Sequence, residues 1–170
     1  MRKEIIDTLS DLTDVVVEIT EALKVVLKEK YPKANYPYGC CAKASYVIYY
    51  ILKNYFYCHA IFQISGELKR EIIGDFDKCS TVSHTFLFIN GYIVDTTIWQ
   101  FNNKYNFEFP EVYISDSFEE YNKIFDYNVI IEIDYDNDKV HSELLKEVVA
   151  ELGLSAFESS IVYLNQDLGD

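Results

Sequence analysis

Two cysteines stand side by side in YGCCAKASYVIYYILKNY, residues 38 to 55, at the start of an apolar run with helical spacing. A thiol attacks as its thiolate, and a helix N-terminus carries roughly half a positive charge that stabilises the anion. Cys40 and Cys41 therefore both stand where a reactive thiol would stand, unless both are simply small buried residues. A nucleophile also needs a base to take its proton and a group that orients the base. The segment SHTFLFINGYIVDTTIW, residues 83 to 99, offers His84 and Asp95 for those roles.

Their relative placement can be counted. Asn90-Gly91 is the preferred pair for a two-residue type I′ turn joining two strands. Outward from that turn, Ile89 pairs with Tyr92, Phe88 with Ile93, Leu87 with Val94 and Phe86 with Asp95. Thr85 then falls opposite Thr96, and His84 opposite Thr97. Directly opposed residues share a face and faces alternate along a strand, so His84 and Asp95 lie on one face as diagonal neighbours. Such neighbours sit about 7–8 Å apart at the backbone, within reach of an imidazole–carboxylate hydrogen bond. That bond fixes the tautomer and frees the other ring nitrogen to act as a base. Taken singly, a histidine opening a strand and an aspartate before Thr-Thr are ordinary; the shared face makes them a pair.

The elements around this pair follow from periodicity. Ile5, Leu9, Leu12, Val16, Ile19, Leu23 and Val26 recur at three and four and predict an amphipathic helix over 3 to 30, stopped by YPKANYP. A second helix is expected over 41 to 54, with Cys41, Ser45, Ile48 and Leu52 on one face. YCHAIFQIS, residues 57 to 65, reads as a strand, while ELKREII fits either a strand or a short helix. The stretch from Gln100 to Ser117 reads as irregular, with a short strand near Val112. FEEYNKIF suits a turn or two of helix, and YNVIIEID a further strand. SELLKEVVAELG, residues 142 to 153, is a helix stopped by Gly153, and a last amphipathic piece covers 156 to 164. No repeat or linker divides the chain, so one α+β domain over 1 to 170 is expected, with helices leading and strands following.

At 170 residues, such a domain buries roughly 70% of its unfolded surface. Fifteen tyrosines and eleven phenylalanines enlarge the core and can line a cleft. The net charge of −13 argues against nucleic acid, which requires clustered Lys and Arg. Asp134, Asp136, Asp138, Glu143, Glu147 and Glu151 crowd the last third, read first as a solvated face and second as a surface for a basic protein. Acids interrupt the first residues every few positions, leaving no apolar signal core, and no run reaches membrane-spanning length. A cytoplasmic protein with reduced thiols is expected, with neither a membrane nor a nucleic acid as partner.

Other chemistries fit less well. Cys40, Cys41, Cys58, His59, Cys79 and His84 include no C-x-x-C pair, and adjacent cysteines seldom share one zinc ion, so no metal is expected. Asp134, Asp136 and Asp138 mimic calcium-loop spacing, but Lys139 stands where the loop needs Gly and Leu145 where it needs Glu. Neither a Gly-rich phosphate loop nor a Gly-x-Ser-x-Gly elbow is present, and no cofactor is expected.

Gly39-Cys40-Cys41-Ala42-Lys43-Ala44-Ser45 before the helix, followed by SHTFLFINGYIVDTT, resembles the transglutaminase-like branch of the papain-like fold. The resemblance covers residues 38 to 100. It implies a helix carrying the cysteine, packed on an antiparallel sheet carrying histidine and aspartate, and a metal-free Cys–His–Asp triad acting on amide bonds. Position by position it makes Cys41 the nucleophile, His84 the base and Asp95 the orienting acid, with Cys40 as the competing nucleophile. Two features depart from the family pattern: Thr85, Phe86 and Leu87 follow His84 where the family often has a tryptophan or another aromatic, and Thr96 replaces the usual proline after Asp95. The implied chemistry is hydrolysis or acyl transfer on a protein or peptide amide through a thioester. It also requires an oxyanion hole, for which the Cys41 N–H, Tyr36, Tyr38 and Gln100 are candidates. The alternative is a non-catalytic protein-binding module that keeps the fold.

Overall fold

The computed structural model describes residues 6, 8–56, 58, 60–74, 82–130 and 139–154. Helix α1, Leu9–Lys30, starts later than its apolar spacing suggests because Thr8 and Asp11 close a capping box across its first turn. Its spaced residues Leu12, Val16, Ile19, Leu23 and Val26 are buried. Helix α2, Cys41–Tyr55, is capped at Cys40 without any side-chain bond, so its first amides keep their donors. The apolar pattern of α2 sends Ala44, Val47, Ile48, Ile51 and Leu52 into the interior.

Among the described residues, five strands form one antiparallel sheet: β1 (Ile61–Leu68), β2 (Ser83–Ile89), β3 (Tyr92–Asp95), β4 (Tyr113–Ser115) and β5 (Phe125–Ile130). Their order is β4-β3-β2-β1-β5. β1 begins and ends later than its sequence pattern indicates because it pairs with β2 along its length, from Ile61–Ile89 to Glu67–Ser83. That pairing divides ELKREII: Glu67 and Leu68 complete β1, and Arg70–Ile73 forms the short helix α3. After β3 the chain makes a 3₁₀ turn at Ile98–Phe101 and a short helix α4, Asn102–Tyr105, before entering β4. Helix α5, Glu119–Ile124, leads directly into β5. Helix α6 occupies Lys139–Glu151.

The sheet is covered on both faces. α1, α2 and α6 meet one another on one side, where Leu87, Ile89 and Val94 join their apolar residues in a single core. On the other side Ile64, Phe86 and Ile93 pack with Ile98, Phe101, Tyr121, Ile124 and Phe125, a core rich in aromatic rings. The architecture is α+β. Among the described residues, no helix is long and apolar enough to cross a membrane.

Gly66 lies where three strands meet, opposite His84 on β2 and Tyr127 on β5. A Cβ there would come within 2.8 Å of the Asp126 carbonyl oxygen, so only glycine lets β1 and β5 approach this closely.

Candidate active site

The hairpin forms in the counted register. Asn90 and Gly91 take positive φ, and Ile89–Tyr92, Phe88–Ile93 and Leu87–Val94 are paired. The ladder stops there, earlier than counted, and the Thr85–Thr96 pair is missing from it. Backbone groups of Thr85 that would have faced β3 turn instead to α2. The Ser45 hydroxyl donates to the Thr85 carbonyl at 3.4 Å, and the Thr85 N–H lies near enough to the Cys41 sulfur to favour its thiolate. The parting of β2 and β3 thus leaves a notch that the first turn of α2 fills. Thr96 leads the other way: its carbonyl accepts from the Tyr36 hydroxyl and from the Trp99 indole at 3.2 Å.

His84 and Asp95 share a face as expected, with side chains 0% and 1% exposed, and they are bonded through His84 Nε2 and Asp95 Oδ2. Asp95 Oδ1 accepts from the Thr97 N–H at 2.8 Å, the Thr97 hydroxyl at 3.1 Å and the Ile98 N–H at 3.0 Å. One oxygen therefore caps the following turn while the other orients the histidine. Oδ2 also accepts from the Tyr121 hydroxyl at 2.7 Å. Phe125 stacks on the imidazole at 5.4 Å between centroids, and Phe101 meets it edge-on at 5.3 Å.

With Nε2 committed to Asp95, Nδ1 is the ring nitrogen left for the thiol of Cys41, which lies beside His84 at the start of α2. Burial is the largest influence on this thiol and pushes its pKa up. The bond to His84, the charge of His84 and the N–H groups of Thr85 and Ala42 outweigh burial, and the thiol lies below its ordinary value. Burial, again first, works against a charged His84, but the Asp95 carboxylate prevails and the imidazole pKa rises to about 9. For Asp95, burial is opposed by the charge and hydrogen bond of His84, then by Tyr121 and the Thr97 N–H, which hold the carboxyl below its usual range.

The two cysteines are not equivalent. Cys40 is 1% exposed within the helical core, its thiol points at the Tyr38 carbonyl at 3.6 Å, and burial raises its pKa. Cys41 is half-buried and meets His84.

Of the proposed oxyanion groups, Gln100 is drawn in. Its Oε1 accepts from the Gly39 N–H at 3.3 Å, and its Nε2 lies 3.4 Å from His84 Nδ1, so it ties the loop before Cys41 to the imidazole. Tyr36 donates its hydroxyl proton to the Thr96 carbonyl, and its ring lies edge-on to Trp99 at 6.3 Å. The Tyr38 ring is 47% exposed, and the structure gives its hydroxyl no contact with the triad. Tyr36 and Trp99 wall a cleft of about 420 Å³ that is also lined by Leu27, Lys28 and Glu111.

Tyr121, Phe101 and Phe125 were not among the candidates from sequence. A Tyr121–Asp95 contact joins two elements that no local pattern connects. The only signal was the inward spacing of Tyr121 and Ile124 in FEEYNKIF.

Among the described residues, no three His, Cys, Asp or Glu side chains are gathered to hold a metal ion. Cys58 is buried, and burial raises its pKa. His59, Cys79, Asp134, Asp136, Asp138 and the amphipathic piece at 156 to 164 lie outside the described residues. Within the acidic last third, Glu143 pairs with Lys146 and Glu147 with Lys30. No protein-family model, no curated protein and no solved structure matches the chain.

Proposed function

We propose that the chain is a thiol-dependent acyl-transfer enzyme with a papain/transglutaminase-like core, acting on an amide of a protein or peptide. One observation carries this reading: the thiol opening α2 meets His84, whose far nitrogen is held by a buried carboxylate. Each partner of the thiol also stabilises its anion.

In this mechanism, His84 takes the Cys41 proton and the thiolate attacks the amide carbonyl carbon. The carbonyl oxygen gains negative charge as the tetrahedral centre forms. The Cys41 N–H, which has no partner within its own helix, and the Gln100 amide group are the donors for that oxyanion. Imidazolium then gives its proton to the departing nitrogen, the carbon–nitrogen bond breaks, and a thioester to Cys41 remains. Water or an amine, losing its proton to His84, attacks the thioester and releases an acid or a new amide with the thiol restored. Asp95 remains a carboxylate throughout and stabilises the imidazolium.

A competing reading, a binding module with an idle triad, draws on the complete burial of the His84 ring. The two separate in a turnover assay. The full chain is incubated with a glutamine-rich protein and with peptide libraries, with and without a primary amine, and then acid-quenched for intact-mass analysis. An enzyme yields ammonia, new termini or incorporated amine, and a thioester adduct on Cys41, all lost in Cys41→Ala. Equal products from wild type and Cys41→Ala would reject the enzyme reading.

A further inference from the structure

Asp95 Oδ2 accepts two hydrogen bonds, one from His84 Nε2 and one from the Tyr121 hydroxyl. We propose that Tyr121 is a positioning residue that sets how tightly Asp95 holds a protonated His84. Its consequence for catalysis rests on Cys41 being the nucleophile, but its effect on His84 does not.

The geometry leaves Tyr121 little alternative. Its ring is fully buried against Phe86 at 4.7 Å, Tyr113 at 5.4 Å and Phe125 at 5.5 Å. In the six-residue helix α5, Tyr121 and Ile124 are the buried side chains, so the phenol is anchored from its own element as well. Burial, with the Asp95 charge, pushes the phenol pKa well up, and the group stays an O–H donor.

Two donors on one oxygen draw on the same electron density. The positive end of the Tyr121 O–H dipole points at the oxygen that faces the imidazole N–H. It therefore weakens the grip of Asp95 on imidazolium while fixing where Oδ2 stands. An imidazolium gripped too tightly is a poor acid toward a departing amine, so the phenol keeps His84 able to give its proton back. Other groups acting on His84 are the Cys41 thiol from α2, the Gln100 amide from the 3₁₀ turn and the Asp95 carboxylate from β3. The phenols of Tyr113 and Tyr127 act on Tyr121.

The test is a ¹⁵N NMR titration of the His84 imidazole in the full chain. It compares wild type, Tyr121→Phe and a protein with 3-fluorotyrosine at position 121, with circular dichroism verifying the fold. Removing the donor should raise the His84 pKa by about half a unit, roughly threefold in proton affinity, and the stronger fluorinated donor should lower it. The fluorinated protein retains every contact, so it decides the matter if Tyr121→Phe does not fold. Unchanged titration in the folded variants, or a shift of the opposite sign, would overturn the proposal. Cys41 alkylation is followed in the same samples. A shifted His84 beside a thiol of ordinary reactivity would uphold the role of Tyr121 and defeat the nucleophile instead.

Discussion

Asp95 grips His84 with one carboxylate oxygen and uses the other to start the turn that follows its own strand. Oδ2 meets His84 Nε2, while Oδ1 takes the Thr97 N–H at 2.8 Å and the Ile98 N–H at 3.0 Å. The three donors on Oδ1 fix the carboxylate plane, and the plane fixes the ring.

Asp95→Asn keeps the volume and removes the charge. Burial is then opposed only by the Cys41 thiol, and the His84 pKa should fall below the ordinary value rather than stand at about 9. Cys41 loses a charged partner, and its alkylation rate at pH 7 should drop about tenfold or more, the equivalent of one pKa unit. Peptide-level mass spectrometry of the folded variant measures it, and an unchanged rate would count against the triad.

Stability should depend on pH in a defined direction. The raised pKa of His84 contributes stability that is complete below 6.5 and lost as pH rises through about 9. The lowered pKa of Asp95 contributes stability that is complete above 3.8 and lost as pH falls through its folded value. The thiolate of Cys41 works with opposite sign to His84 at high pH, and Cys41→Ser removes it. In that background, the urea midpoint relative to Cys41→Ser/His84→Gln should be greatest between pH 3.8 and 6.5 and decline toward pH 9. A relative midpoint that climbs over the alkaline range would contradict the assignment.

Gln100→Ala separates transition-state stabilisation from thiol activation. Amide turnover should fall about a hundredfold, while Cys41 alkylation should stay within about threefold, because alkylation forms no oxyanion. Equal losses in the two assays would mean that Gln100 acts only by holding the Gly39 loop.

Gly66→Ala should destabilise the fold by about 1–3 kcal/mol, since the new methyl meets backbone rather than a yielding side chain. Urea denaturation followed by tryptophan fluorescence gives the value. Wild-type stability would show that β1 and β5 can separate without cost.

The parts of this site that were legible in the sequence are local. An Asn-Gly turn fixes its own register, and alternation carries that register as far as His84 and Asp95. Spacing of three and four likewise located the buried stripe of α1. Long-range matters were hidden. Where β2 and β3 part depends on α2 supplying Cys41 and Ser45 as partners for Thr85, and no pattern within the hairpin encodes that. The strand expected at 57 to 65 lies later because its length is set by pairing with β2. Tyr36, plausible as a donor from its nearness to Cys41, is spent on Thr96. Tyr121 is joined to Asp95 only by the packing of α5. Cys40 and Cys41 differ in which side of the helix start faces His84 and Thr85 on β2, and neighbours in sequence do not encode that.

The central claim is that His84 activates Cys41. Its most direct test is the pH dependence of iodoacetamide alkylation, resolved cysteine by cysteine, in wild type and His84→Ala. Cys41 should react well below pH 8 while Cys40 and Cys58, whose pKa values burial raises, lag behind, and His84→Ala should abolish the difference. If Cys41 in wild type follows the profile of an ordinary thiol, or keeps its reactivity without His84, the account is wrong.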